Sequence, residues 1–127
     1  MFSGQSILVV EEEFLIALDI QRMLETRVAG QMLFARTAEE AHELEAHWPS
    51  IGLAIVEIRR DGQHGPALVR RLRDAGIAVV LNTADSAIRR GHPDFPGVPV
   101  AVKPMTEEDL VAAIERAVAL KTNGYES

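Results

Sequence analysis

Short apolar runs alternate with stretches of helical periodicity along the whole chain, and the runs lack the polar alternation of half-exposed strands. Ser6–Val10 (SILVV), Gln31–Ala35 (QMLFA), Gly52–Ile58 (GLAIVEI), Ile77–Leu81 (IAVVL) and Val98–Val102 (VPVAV) are the five strands this pattern predicts. Between the first two, residues 12–27 place Ile16, Ile20 and Met23 on one stripe of a helix. Thr37 followed by Glu40 has the spacing of a capping box. It opens a helix with Ala38, Ala41 and Leu44 inward, which Trp48-Pro49 closes. Gly65-Pro66 opens a third helix with Leu68, Leu72 and Ala75 on its apolar face and Gly76 just past its end. Residues 85–97 stand where a fourth helix is due, but Gly91, Pro93, Pro96 and Gly97 leave room for two turns at most. The last helix starts at the N-cap Thr106 with Glu107, Glu108 and Asp109 in its first turn, and turns Leu110, Ile114 and Ala117 inward. Five strand–helix units with continuously apolar strands imply a parallel sheet covered on both faces. Residues 1–127 are read as one doubly wound α/β domain with no effector domain.

Composition narrows the class. The chain has 127 residues, 47% hydrophobic and 25% charged, which is enough to bury a core without disulfide or metal staples. It contains no cysteine, which excludes thiol catalysis and cysteine-based metal centres and suits a reducing cytoplasm. The first residues lack a basic signal region and no apolar run reaches membrane-spanning length, so a cytoplasmic chain without membrane contact is expected. A formal net charge of −6 argues against nucleic acid as a partner. Residues 1–45 carry nine acids against three bases, whereas residues 59–90 carry seven arginines against three acids. The arginines read as a solvated surface or as one that meets an acidic protein.

Candidate chemistry gathers where the strands end. Folds of this type bind ligands outside the carboxyl ends of their strands. Those ends deliver Glu11 and Glu12 from the first strand, Glu57 from the third, Thr83 from the fourth and Lys103 from the fifth. Glu57 ends an apolar run, Leu53-Ala54-Ile55-Val56, so its carboxylate needs a partner, a metal or a proton if it is buried. Phosphate-binding glycine loops, a nucleophile elbow and histidine pairs with metal-ligand spacing are all missing from the sequence.

The order ILVVEEEF, LAIVEI, VVLNTA, VPVAVKP resembles the response-regulator receiver domain of two-component signalling over essentially the whole chain. The resemblance implies the flavodoxin-like (βα)5 fold, here with a shortened or irregular fourth helix. The family pattern is an acidic pair after the first strand, an aspartate ending the third, Thr or Ser ending the fourth, and Lys-Pro after the fifth. It places Glu11 and Glu12 at the acidic pair, Glu57 at the phosphoacceptor, and Thr83 and Lys103 at the residues that contact the phosphoryl oxygens. It also makes Glu12 and Glu57 the candidate Mg²⁺ ligands, and a cis Lys103-Pro104 bond would be ordinary in the family.

The departures from that pattern set the functional expectation. Glutamate replaces aspartate at 57, and its extra methylene carries the carboxylate toward Thr83 and Lys103. Glu12 is lengthened as well, and Arg59 and Arg60 follow the acceptor directly. Mg²⁺ needs oxygens in near-octahedral positions at roughly 2.0–2.1 Å and tolerates displaced ligands poorly. Val100 stands where the family often carries a switching aromatic. The leading expectation is a stand-alone atypical receiver that is not an enzyme. It requires no cofactor and acts by contact with a histidine kinase or another signalling protein, independently of aspartate phosphorylation. The same fourth helix–fifth strand–last helix face, around Ile88–Phe95 with Val111 and Val118 outward, would support a homodimer, with Phe95 itself expected in the core rather than as an exposed anchor. The alternative is a working phosphoacceptor that binds Mg²⁺ and is phosphorylated by a histidine kinase on Glu57 or a neighbouring acid. A small metal-dependent phosphohydrolase is a third reading, and it lacks an evident general base.

Overall fold

In the computed structural model the described residues are 5–27, 30–59 and 64–122. Five parallel strands, β1 (Ser6–Val10), β2 (Met32–Ala35), β3 (Ile51–Glu57), β4 (Ala78–Thr83) and β5 (Val100–Val102), form one sheet in the order β2-β1-β3-β4-β5. The apolar runs become strands buried along their length because helices cover both faces. Successive side chains point to opposite faces, so each central strand feeds two cores. Leu8, Val10, Ala54 and Val56 join one cluster, with Ala41, Trp48, Leu68 and Leu72 from α2 (Ala38–Glu43), the 3₁₀ segment Glu45–Ser50 and α3 (His64–Asp74). Ile7, Val9, Leu53 and Ile55 join the other, with Ile20 and Leu24 from α1 (Phe14–Leu24) and Leu110 and Ile114 from α4 (Glu107–Thr122). The chain crosses from one side of β1 to the other between β2 and β3. The switch point, where such folds bind ligands, therefore lies between the carboxyl ends of β1 and β3.

Local signals account for most boundaries. The Glu40 amide donates to Thr37 Oγ1 at 3.1 Å, and the Asp109 amide donates to Thr106 Oγ1 at 3.0 Å, so both hydroxyls cap their helices. Gly76 takes φ +81° just past α3, a conformation a side chain would resist. Ala75 is exposed beyond the end of α3 rather than on its apolar stripe, because the chain is already turning toward β4. α1 is shorter than its periodicity suggests, since Glu13 is extended at its N-cap. Residues 85–97 hold a single 3₁₀ turn, Ser86–Ile88, and a bridge between His92 and Phe95, as their glycines and prolines dictate.

Phe95 is buried in the first core, as expected, with the Arg70 guanidinium 5.4 Å from its ring centre. The outer face proposed for the last helix needs correction: Val111 and Val118 pack against the second core instead of facing out. Among the described residues the large apolar side chains most open to solvent are Phe14 and Leu15, 75% and 72% exposed, followed by Phe34 on the edge strand β2. Among the described residues no helix is long and apolar enough to cross a membrane.

Gly30, at the entry to β2, is fixed by close approach. A Cβ there would lie 1.9 Å from the Gln5 carbonyl oxygen, a backbone atom that cannot rotate away. Gly30→Ala is expected to destabilise by about 1–3 kcal/mol or more, as overpacking does, and urea unfolding would show it.

Candidate functional site

Each strand end sets its side chain by the register of the sheet. The Glu11 amide donates to the Ala35 carbonyl at 3.0 Å and prolongs the β1–β2 ladder by one residue. Glu57 pairs in register with Asn82, and Asn82 with Ala101. The Lys103 amide donates to the Thr83 carbonyl at 2.7 Å and so extends β5 along β4. Glu11, Glu57, Asn82 and Lys103 continue the alternation of Val9, Ile55, Val80 and Ala101, all of which face the α1–α4 core. The four polar residues form one tier that closes that core at its carboxyl edge.

Lys103 is the centre of the tier. Its Nζ donates to Glu57 Oε2 at 2.9 Å and to Glu11 Oε1 at 3.0 Å. The Glu11 side chain is fully buried and those of Lys103 and Glu57 nearly so. Glu11 Oε1 also accepts from Asn82 Nδ2 at 2.8 Å, and Oε2 accepts from the Glu13 amide at 3.0 Å. Glu57 Oε1 accepts from the Glu12 amide at 3.2 Å. Burial pushes the Glu57 carboxyl up. The Lys103 ammonium and the Glu12 amide outweigh that and hold it below its ordinary value. Burial likewise pushes Lys103 down, and the bonds to Glu57 and Glu11 reverse it and hold the ammonium above its ordinary value.

Two residues expected in this group stand apart from it. The Glu12 carboxylate is exposed and pairs with the Arg59 guanidinium, so Glu12 reaches Glu57 only through its backbone amide. Thr83 is buried on the opposite alternation of β4, and its hydroxyl accepts the Asp85 amide at 3.0 Å in a local turn. The extra methylene of Glu57 thus carries its carboxylate to Lys103, while Thr83 lines the neighbouring cleft. That cleft, of about 460 Å³, is walled by Glu57, Arg59, Thr83, Ser86 and Lys103 among others. Arg60 lies outside the described residues. The Lys103-Pro104 peptide is cis. Asn82 carried no motif in the sequence. The signal for it was an amide at the end of Val79-Val80-Leu81, on the same alternation as Glu57 and Lys103.

The donor set does not fit Mg²⁺. Glu11 and Glu57 share the ammonium of Lys103, and Glu12 is turned outward onto Arg59. Among the described residues no group of three or more acidic or histidine side chains is arranged to hold a metal ion.

No family model matches the chain. It is 31% identical over 115 residues to the transcriptional regulatory protein PdtaR of Mycobacterium tuberculosis, covering 89% of this chain and 56% of that protein. The chain thus spans about half the length of this curated relative. The solution structure of the PhyR response-regulator receiver domain of Erythrobacter litoralis superposes with a TM-score of 0.74 at 22% identity, over 98% of this chain and 97% of that one. A mutant of the anti-anti-sigma factor PhyR from Bartonella quintana gives a TM-score of 0.69 at 28% identity, over 95% of this chain and 51% of that one. A signal receiver domain from Pseudomonas fluorescens gives 0.73 at 22% identity, over 94% and 90% of the two chains. Fold and strand-end site define the class: the chain has the fold of the response-regulator receiver domains it superposes on. Its individual mark within that class is a glutamate, salt-bridged to lysine, at the end of β3.

Proposed function

We propose that the chain is an atypical receiver whose signalling runs through protein–protein contact and does not depend on phosphorylation, with Glu57 at the phosphoacceptor position. The observation that carries this reading is the 2.9 Å contact between Glu57 and Lys103, whose ammonium is shared with the buried Glu11. The lysine that would stabilise a phosphoryl group is already neutralised, and the glutamate that would accept one is already hydrogen-bonded through both oxygens. Phosphoryl transfer depends on positioned metal and nucleophile, and both requirements are weakened at once. The protein requires no Mg²⁺ for this role and is not an enzyme.

Contact falls to the α1–β2 side, where Phe14, Leu15 and Phe34 are open to solvent and Phe14 and Phe34 line one apolar pocket with Glu12 and Arg36. An exposed apolar patch of this kind suits a signalling partner, such as a histidine kinase, that presents apolar residues of its own. The protein works in the cytoplasm and has no need of nucleic acid.

The open cleft beside Glu57, Thr83 and Lys103 favours the second reading, a phosphoacceptor that uses Mg²⁺. One experiment separates the two. After incubation with Mg²⁺ and a small acyl-phosphate donor, intact mass should show the unmodified chain. A stoichiometric adduct mapped to Glu57 or Glu12 would establish the second reading and end the first.

A further inference from the structure

Asn82 is the one buried polar side chain of the tier that the salt-bridge reading leaves without a role. It sits at the end of β4 with no exposed surface, and its Oδ1 has no hydrogen-bond partner among the described residues. An orphaned carbonyl is unfavourable directly after the apolar run Ala78-Val79-Val80-Leu81, where an aliphatic side chain would pack at no such cost. Packing therefore gives no reason for an amide here, and its Nδ2 does. That group donates to Glu11 Oε1 at 2.8 Å, the same oxygen that accepts from Lys103 at 3.0 Å.

We infer that Asn82 is a positioning residue: its neutral amide satisfies the buried Glu11 carboxylate so that the Lys103 ammonium stays shared with Glu57 instead of being drawn wholly to Glu11. The inference deepens the ion-pair reading of the site and rests on it. A fully buried carboxylate needs several donors. Among the described residues Glu11 has three: Asn82, Lys103 and the Glu13 amide. Were Asn82 aliphatic, Lys103 would be the only side-chain donor left to Glu11. The most desolvated anion would then claim the cation, at the expense of Glu57, which keeps the Glu12 amide and partial access to water. Because Asn82 donates without adding charge, it sets how one cation is divided between two carboxylates. A lysine or arginine in its place would change the charge of the site, and an aliphatic residue would change the division.

A double-substitution cycle measures that division. The coupling between Glu57→Gln and Lys103→Met, read from urea unfolding, is compared in the natural chain, in Asn82→Leu, and in Asn82→Leu with Glu11→Gln. Asn82→Leu should weaken the coupling constant about fivefold, within the range for contacting charged pairs. Removing the charge of Glu11 should restore it, because the competitor for Lys103 is gone. Unchanged coupling in Asn82→Leu overturns the assignment, and so does a loss that Glu11→Gln fails to rescue, which would mark a packing role. Absence of coupling in the natural chain would overturn the ion-pair reading itself, a separate and earlier failure. If the multiply substituted chains do not fold, a structure of Asn82→Leu decides. Lys103 Nζ beyond about 3.5 Å from Glu57 Oε2 supports the role, and a contact still at 2.9 Å overturns it.

Discussion

Lys103→Met is expected to cost about 3–5 kcal/mol of stability near neutral pH, the scale for removing one partner of a buried charge pair. Methionine keeps the length and most of the volume of lysine, so the loss reports charge and not a cavity. Two carboxylates then face each other with no cation between them, and the fully buried Glu11 keeps only the Asn82 and Glu13 donors. The natural chain and the variant should differ in pH dependence as well. Glu57 is held below its ordinary 4.5, so its contribution is present above that value and lost as pH falls through the lower folded value. Lys103 is held above its ordinary 10.5, so its contribution is complete below that value and lost as pH rises through the higher folded one. The natural chain should therefore show a plateau between these limits. In Lys103→Met, protonating one carboxyl relieves the repulsion, so the deficit should shrink as pH falls from neutrality toward the ordinary carboxyl value of 4.5. Urea unfolding across the acidic to mildly alkaline range would test both features. A cost below about 1 kcal/mol, typical of exposed ion pairs, with no pH dependence would refute the pair as a stabilising element.

The sheet was legible because period-two burial on two faces leaves no polar residue inside a central parallel strand. SILVV, GLAIVE and AVVLNT announce themselves by the polar residues that stop them. The same alternation, carried one step past the strand ends, distinguishes the residues that meet from those that do not. Glu11, Glu57, Asn82 and Lys103 share a parity, while Glu12 and Thr83 have the other. Strand-end position alone grouped Glu12 and Thr83 with the rest. Their actual partners, the Arg59 guanidinium and the Asp85 amide, are set by loop geometry that periodicity does not encode. Val111 and Val118 were misplaced for a related reason. On α4, which packs along β4 and β5, flanking positions bury part of their surface even off the central stripe. Phe95 joined the core because Gly91 and Gly97, with φ +144° and +151°, fold residues 91–97 back onto α3. No helical or strand period anticipates that.

Glu57 also bears on what state the domain holds. A phosphoryl group brings nearly two charges and three acceptor oxygens, whereas Glu57 offers one charge and two oxygens. One of those oxygens is occupied by the Glu12 amide. The pair with Lys103 reproduces a single contact of a phosphorylated site and leaves Thr83 bound to its own turn. On the proposed reading Glu57 holds the domain in a single state and does not imitate the phosphorylated one.

Restoring metal binding should take two substitutions, not one. Glu57→Asp withdraws the carboxylate by about one bond length, roughly 1.5 Å, enough to break the 2.9 Å contact with Lys103. Glu12 would still be turned outward and neutralised by Arg59, an exposed pair whose removal costs little by itself. Glu57→Asp alone should therefore gain little Mg²⁺ response, and the natural chain none. With Arg59→Ala added, Glu12 is free to turn toward Glu11, and the shortened acid at the end of β3 leaves room for an ion between the carboxylates. That double variant should be stabilised by Mg²⁺ through mass action, by about 2.7 kcal/mol when the ion is at roughly 100 times its Kd. Thermal unfolding with Mg²⁺, and with K⁺ at matched ionic strength, separates site binding from screening. An equal Mg²⁺ response in the natural chain would show that Lys103 and Arg59 do not block the site. No response in the double variant would place the obstacle in the geometry of Glu11 and Glu12, beyond the reach of the acceptor substitution.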